Sequence, residues 1–481
     1  MNRTATMNRV AGLAARATPL AAAMLLAGCV NLAPTYERPA APVASAYASE
    51  LNPAGAAGAV AAADLDWQRF FADPRLKKLI ELSLANNRDL RVAILNIEQA
   101  RATYRVQRAD ELPTVGAGAG VQRSVGSTGS LVNTYSVGLQ VTSYELDLFG
   151  RARNLTQASL AKYLATEEAR KSAQISLIAS VATAYTSLLA DDELLRVTQD
   201  TLKTREDSLK LTQLRFDNGA TSEVDLRQAE QLLEGARATL AQTQRQRTQD
   251  ENALVLLVGQ PLPADLPPGL PLAQQQAVAD LPAGLPSDLL NRRPDLREAE
   301  LQLQSANASI GAARAAFFPS ISLTANAGTA STELSGLFKS GTWAFTGSAT
   351  VLQTIFDAGR NRANLDSAKA GKEIAIAQYE KSIQTAFREV ADALAGRATL
   401  GEQLRAQTAQ AKAAQTAFAL TDLRYRNGAA SYLDVLDAQR SLFGAQQATV
   451  QVQAQQTQNL ITLYKVLGGG WTEPAATAKG N

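Results

Sequence analysis

The sequence predicts an α+β membrane protein built from two tandem structural repeats, each joining a β-hairpin to long helices. Three observations predict it. The first is a duplication. Leu214-Arg215-Phe216-Asp217-Asn218-Gly219-Ala220-Thr221-Ser222 returns 209 residues later as Leu423-Arg424-Tyr425-Arg426-Asn427-Gly428-Ala429-Ala430-Ser431. Asp225, Ala229, Leu233, Gly235 and Ala236 match Asp434, Ala438, Leu442, Gly444 and Ala445 in the same register. Asp89-Leu90-Arg91, Pro113 and Gly150-Arg151 match Asp295-Leu296-Arg297, Pro319 and Gly359-Arg360. The second observation is four segments of about ten residues with period-two alternation. The third is a seven-residue apolar repeat in the longest helical stretches.

In chain order, Arg3, Arg9 and Arg16 followed by the short apolar run Pro19–Ala27 read as a signal peptide over 1–28, to be set aside from the fold. Leu26-Ala27-Gly28-Cys29 resembles a bacterial lipobox, in which the chain is cut before Cys29 and lipid is attached to its thiol and amine. Val30 in place of Asp points such a lipoprotein to the outer membrane. Residues 29–81 read as an N-terminal tether, extended through the Ala-, Pro- and Gly-rich 29–64.

The first repeat spans 82–260. It holds a helix over 82–110, a β-hairpin over 113–148, a long helix over 152–217 and a helix over 222–258. In the hairpin, Val115, Ala117, Ala119 and Val121 face one way and Gly116, Gly118, Gly120 and Gln122 the other. Tyr135, Val137, Leu139 and Val141 alternate with Ser136, Gly138, Gln140 and Thr142. A Pro-rich linker, 261–287, follows. The second repeat, 288–468, holds a helix over 292–316, a hairpin over 319–356, a long helix over 358–427 and a helix over 430–467, with a C-terminal tail over 469–481. Its hairpin alternates Ile321, Leu323, Ala325 and Ala327 with Ser320, Ser322, Thr324 and Asn326. Trp343, Phe345, Ala349 and Val351 alternate with Thr342, Thr346, Ser348 and Thr350.

Strands apolar on one face and small-polar on the other suit a barrel wall between lipid and lumen. A soluble hairpin lying on a core would show the same alternation, and the lipobox favours the barrel. Four strands cannot close a barrel, because about eight are the fewest that do so around a filled interior. Unpaired backbone groups in lipid cost several kcal/mol each, so open edges are forbidden there. Several chains must therefore contribute four strands each, and three would give twelve.

In the first long helix Val181, Leu188, Leu195, Leu202, Leu209 and Phe216 recur every seventh residue. Val390, Leu404, Ala411, Phe418 and Tyr425 hold the same register 209 residues on, with Arg397 interrupting. That spacing implies coiled-coil packing. At about 1.5 Å per residue such a helix reaches roughly 100 Å. The two shorter helices of each repeat, stacked end to end, match it in length.

The bulk properties exclude several functions. Histidine is absent, which removes His-based triads, His zinc sites and His pH switches. Cys29 is the only cysteine, so no internal disulfide forms. Without residues 1–28 the net charge falls from +2 to −1, which gives no general attraction to nucleic acid. No acid pairs with a His or Cys nucleophile, and no Gly-rich phosphate loop follows a strand. Neither an enzyme nor a metal or cofactor site is expected.

Ordered landmarks carry a resemblance. They are Cys29 with Tyr36-Glu37-Arg38-Pro39, Tyr144-Glu145-Leu146-Asp147-Leu148-Phe149-Gly150-Arg151, and Arg292-Arg293-Pro294-Asp295-Leu296-Arg297-Glu298-Ala299-Glu300. Phe317-Phe318-Pro319-Ser320, Phe356-Asp357-Ala358-Gly359-Arg360 and Tyr432-Leu433-Asp434-Val435-Leu436-Asp437-Ala438-Gln439 complete the set. Together they resemble the outer-membrane efflux proteins, the TolC-type channels, and most of all the lipid-anchored NodT-type branch. The resemblance implies a homotrimer with a twelve-stranded transmembrane β-barrel, continued by a long periplasmic α-helical barrel. It implies a passive, gated exit duct for small molecules, driven by an inner-membrane transporter and joined to it through a periplasmic adaptor protein. A protein-secretion duct, or a coiled-coil spacer lipoprotein without a channel, are the competing functions.

Candidate site residues fall at the helix tips. Asn218-Gly219 and Asn427-Gly428 are helix stops. Ser222-x-x-Asp225 and Ser431-x-x-Asp434 resemble capping boxes that restart a helix. The resemblance makes these tips the closed periplasmic end, with a gate drawn from Asp437, Leu433, Asp434, Arg424 and Tyr425. Each has a plainer reading: Asp434 as a cap, Asp437 as a solvated acid, Leu433 and Tyr425 as packing residues, Arg424 as a solvated flank. Asp437 has no acidic counterpart, because the first repeat carries Gln228 there. Leu433 and Asp437 lie one turn apart on one face. In a trimer they would set an apolar ring beside an acidic one.

Overall fold

The computed structural model describes residues 31–47, 62–125, 129–275 and 286–471. The signal segment and Cys29 lie outside the described residues, as do residues 276–285 of the linker and 472–481 of the tail. The elements are α1 (Trp67–Phe70), α2 (Pro74–Asn86), α3 (Arg88–Ala109), β1 (Val115–Val125), β2 (Leu131–Glu145), α4 (Arg151–Asp217) and α5 (Glu223–Val258). They continue as α6 (Pro286–Arg292), α7 (Pro294–Ala315), β3 (Ser320–Ser331), β4 (Trp343–Leu352), α8 (Arg360–Arg426) and α9 (Tyr432–Val466). The series α3-β1-β2-α4-α5 recurs as α7-β3-β4-α8-α9, and α4 and α8 are both 67 residues long.

The chain divides into two compact units, and each draws on both repeats. One comprises Met1–Ala40, Asn96–Glu167 and Glu298–Glu380; the other comprises Ala41–Leu95, Glu168–Arg297 and Lys381–Asn481.

The first unit holds a four-stranded antiparallel sheet in the order β1-β2-β3-β4. Directly paired residues of an antiparallel sheet share a face. Ala117 pairs Leu139, Leu139 pairs Ala327 and Ala327 pairs Phe345, so one face is apolar across all four strands. Gly116 pairs Gln140, Gln140 pairs Asn326 and Asn326 pairs Thr346 on the other face. The apolar face is open: Val121, Leu139, Trp343, Phe345 and Val351 are all exposed. Gly118, Gly120, Gln122, Ser136, Gln140 and Thr346 line a concavity, so the sheet curls around its polar side. A bulge between Val141 and Tyr144 shifts the register of β2 on β3, with Ser143 in the left-handed region at φ 57°.

In the same unit the N-terminal segment lies along α7 instead of hanging free. Arg314 Nη1 donates to Leu32 O (3.0 Å) and Asn307 Nδ2 to Pro34 O (2.8 Å). Arg38 grips Glu300 with two bonds, Nε to Oε1 (2.8 Å) and Nη2 to Oε2 (2.7 Å), and Tyr36 OH donates to the same carboxylate at 3.1 Å.

In the second unit the rest of the expected tether is partly folded. Asp66 caps α1, and Asp73 caps α2 with Pro74 in the first turn. Asp73, 1% exposed, also accepts from Tyr185 OH, Leu270 N and Gln275 Nε2. The linker is thus pinned at 270–275. Phe70 stacks on Tyr464 at 4.0 Å, and Ile80, Val181, Leu254 and Leu463 of the same unit are each fully buried. Each such side chain stabilises by about 1.5–3 kcal/mol.

The helix expected over 82–110 is interrupted at Asn87. Its Oδ1 caps the Leu90 amide, while its Nδ2 donates to Leu257 O at the end of α5. The second repeat makes the equivalent joint with a different side chain: Arg293 Nη1 donates to Val466 O at the end of α9. These joints are how the two short helices of each repeat meet end to end. Helix α4 has an 18-residue window of mean hydropathy 1.4, apolar enough to cross a membrane. More than half of that window is buried inside the chain, so the apolar residues serve packing. The tail begins later than expected, because Gln174 Nε2 bonds Gly470 O and Lys171 lies over the Trp471 ring at 4.9 Å.

Candidate functional site at the helix tips

Both tips are built the same way. At the end of α8, Gly428 adopts φ 73°, Gly428 N donates to Tyr425 O and Ala429 N to Arg424 O (2.8 Å). At the end of α4, Gly219 adopts φ 66° and Ala220 N donates to Arg215 O (2.7 Å). This pair of bonds is the Schellman closure, which needs a residue tolerant of the left-handed region. Asn218 and Asn427 each return their side-chain amide to the carbonyl one turn back, at 2.7 Å. Ser222 with Asp225, and Ser431 with Asp434, then form reciprocal capping boxes that start α5 and α9.

The caps shape the acids. The Ser431 hydroxyl (2.8 Å) and backbone N–H (3.0 Å) both donate to Asp434 Oδ2 and hold its carboxyl below the usual range, with the Arg424 charge adding to the effect. Burial works against Asp225, yet bonds from Thr221 and Ser222 hold it low as well. A carboxyl whose folded value lies below the unfolded one gives stability above about pH 4 and loses it as pH falls through the folded value. Protection of amides 427–435, their exchange relative to the intrinsic rate at each pH, is therefore expected to be flat from pH 7 to 5 and to fall in strong acid. Ser431→Ala is expected to shift that midpoint upward and to lose about 1 kcal/mol of local stability.

The five gate candidates separate into two groups. Tyr425 is buried and packs with Tyr432, Val435, Leu436 and Ala229 of the first repeat. Its ring lies 5.4 Å from that of Tyr432, and the Arg215 guanidinium sits over it at 4.3 Å. Ser208 and Tyr432 share a hydrogen bond of 3.2 Å. The two tips are thus locked together through Arg215, Tyr425 and Tyr432. Sequence reasoning missed Arg215 and Tyr432, although the departure from the repeat (Tyr432 where the first repeat has Glu223) marks the second of them.

Leu433, Asp434, Asp437 and Arg424 lie on the open side. Leu433 is 52% exposed, while Tyr432, Val435, Leu436 and Gln439 on the opposite face of α9 are buried. Among the described residues Asp437 pairs with Arg440, one turn along, at 3.5 Å. Arg424 donates to Ala429 O at 3.2 Å within the turn, and pairs with no carboxylate among the described residues. The structure therefore brings one leucine and two carboxylates onto one solvent-facing stripe of α9. Such a stripe can line a narrow passage or meet a neighbour; it has no nucleophile and no metal cluster among the described residues.

The model of the family described as outer membrane efflux protein matches residues 79–260 and 285–469. The chain is 49% identical over 467 residues to the probable efflux pump outer membrane protein TtgC of Pseudomonas putida, covering 95% of this chain and 96% of that protein. It is 45% identical to the outer membrane protein OprJ of Pseudomonas aeruginosa, covering 93% and 95%. Among solved structures, the open state of the Neisseria gonorrhoeae MtrE outer membrane channel superposes with a TM-score of 0.84 at 43% identity, covering 92% of this chain and 99% of that one. The chain belongs to the outer membrane efflux protein family and is an outer-membrane channel component of an efflux system.

Proposed function

We propose that three copies of this chain, anchored by lipid on Cys29, close a twelve-stranded barrel in the outer membrane and form a passive, gated exit duct for small molecules. An inner-membrane transporter supplies the energy, and a periplasmic adaptor joins it to the helix tips. The observation that carries this is the sheet: among the described residues it has four strands, one continuous apolar face, one polar concave face, and outer strands β1 and β4 each with an edge that no strand pairs. Such a sheet is forbidden in lipid alone and permitted once neighbouring copies pair its edges. Repetition of one head-to-tail contact around a threefold axis closes the ring. The gate lies at the tips, with Leu433 and Asp437 facing the passage, Asp434 held as a cap, and Arg424 free to reach a neighbouring copy. The four-stranded sheet favours a duct over a spacer lipoprotein.

The test is the purified protein in detergent and in planar bilayers. Heat-resistant trimers that conduct ions are expected. A strictly monomeric, non-conducting protein would overturn the duct.

A further inference from the structure

We propose that Asp191 and Asp250 form a proton-operated clasp between α4 and α5: a proton shared by the two carboxyls holds the helices together, and its loss loosens them. The clasp belongs to the α4–α5 pair and stands apart from the duct reading. Both residues sit at one level. Asp191 lies twenty-six residues before the end of α4 at Asp217, and Asp250 lies twenty-seven residues after the start of α5 at Glu223. Either helix therefore places its acid roughly 40 Å from the tip they share. The two carboxyls are in hydrogen-bond contact across the seam. The duplication sets the pair apart. In the 209-residue register the matching positions of the second repeat are Leu400 and Asn459, neither of them ionisable, and Asn459 Nδ2 donates to Ala393 O at 2.9 Å instead.

The surroundings call for the proton. Asp191 is 7% exposed, and its Oδ2 meets no donor among the described residues. Arg247, the cation beside the seam, is committed elsewhere: its Nε donates to Asp192 and its Nη1 to Glu251, each at 2.7 Å. Asp250 accepts from its own helix, from Gln246 Nε2 at 3.2 Å. The other elements packed here bring no charge. Ala190 packs with Leu272, Val450 and Ala454. Residues 271–275 are neutral, and α9 carries no Asp, Glu, Lys or Arg from 441 to 464. Two bare carboxylates repel in so dry a seam, so one keeps its proton and donates it to the other. Burial, then the hydrogen bond and charge of Asp250, push the Asp191 carboxyl up to about 7, with Asp192 adding to the rise and Arg247 opposing it. In an unfolded chain an Asp titrates at about 4. The closed seam therefore keeps a proton that an opened seam gives up between about pH 4 and 7. Seam stability falls as pH rises through that window, by at most about tenfold in the opening equilibrium per pH unit, and is flat above it.

The experiment follows the full-length protein in detergent by infrared difference spectroscopy between about pH 5 and 9, with amide exchange read against the intrinsic rate at each pH. The parent is expected to show a protonated-carboxyl C=O band that titrates away with a midpoint near 7. Its protection over 187–195 and 246–254 is expected to fall about tenfold or more as that band is lost. Asp191→Asn keeps the shape and puts a permanent N–H donor where the proton was. It is expected to lose the band and to hold the parent's acid-level protection at every pH. Asp207→Asn removes an exposed partner of Lys210 on the same helix, and is expected to keep both signals. No carboxyl band that titrates in this range, or one that persists in Asp191→Asn, would overturn the clasp. So would parent protection that does not change with pH. A seam that titrates only after EDTA is added would overturn it too, and assign the pair to a bound divalent cation. Trimer formation and conductance, measured separately, decide the duct reading and not this one.

Discussion

Gly328→Val is expected to abolish both heat-resistant assembly and ion conductance. Gly328 pairs directly with Gly138 where β2 meets β3, the seam that joins the two hairpins among the described residues. A Cβ on Gly328 would stand 2.5 Å from the Gly138 Cα and 2.9 Å from the Val137 carbonyl carbon. The reciprocal Cβ on Gly138 would stand 2.5 Å from Ala327 O and 2.7 Å from the Gly328 Cα. All of these neighbours are backbone, so relief requires spreading the ladder itself. Overpacking a rigid site costs about 1–3 kcal/mol, and each carbonyl or amide that loses its partner in lipid adds several more. Gly120→Ala is the matched control, because its nearest neighbour is the Ser136 hydroxyl at 3.6 Å, an ordinary contact. It is expected to assemble and conduct as the parent does. Electrophoresis without boiling and planar-bilayer recording read both variants. A Gly328→Val protein that conducts normally would show that the seam is not closed as described.

Much of the fold could be read from the chain because its signals are periodic. Alternation from Val115 to Val121 and from Trp343 to Val351 has a partner at every second position, and the paired registers put those residues on one face. The seven-residue series ends on Tyr425, the most buried of its last members. What failed was local and aperiodic. Asp66 and Asp73-Pro74 are helix starts that fall inside the stretch 29–81 read as tether; the first helix behind them is only four residues long, and the second, Pro74–Asn86, runs on into the helix expected from 82. Asn87 broke a helix without Gly or Pro, through a side chain that serves a carbonyl 170 residues away. The course of the N-terminal segment along α7 was invisible for the same reason: its partners are 262 to 282 residues distant, and long-range polar contacts leave no local pattern. At the tips, the turns were legible from Asn-Gly and Ser-x-x-Asp. The burial of Tyr425 against Arg215 was not, because it depends on how one repeat packs on the other.

The second large effect is expected at Asp437, where conductance is expected to rise several-fold in Asp437→Ala. Its ion pair with Arg440 is exposed on both sides, with side chains 66% and 48% accessible. Exposed pairs contribute about 0–1 kcal/mol, so the fold and the assembly should survive its loss. Asp434 makes the contrast. Its carboxylate takes both Ser431 bonds, so Asp434→Asn disturbs the start of α9 along with any pore role. A change in Asp437→Ala at unchanged melting temperature therefore reports the passage, not the scaffold. Three such carboxylates around a narrow opening would favour cations, and removing them should lower cation preference as conductance rises. Leu433 lies one turn before Asp437 on the same open stripe. Leu433→Ser, by wetting an apolar ring, should raise conductance with little change in ion preference. Arg424→Ala tests the neighbouring-copy contact, and its effect should overlap with that of Asp437→Ala in the double variant if the two residues bind each other. Single-channel conductance and reversal potential across a salt gradient measure all four. Unchanged values in Asp437→Ala and Leu433→Ser would remove this stripe from the gate and leave it as a solvated helix face.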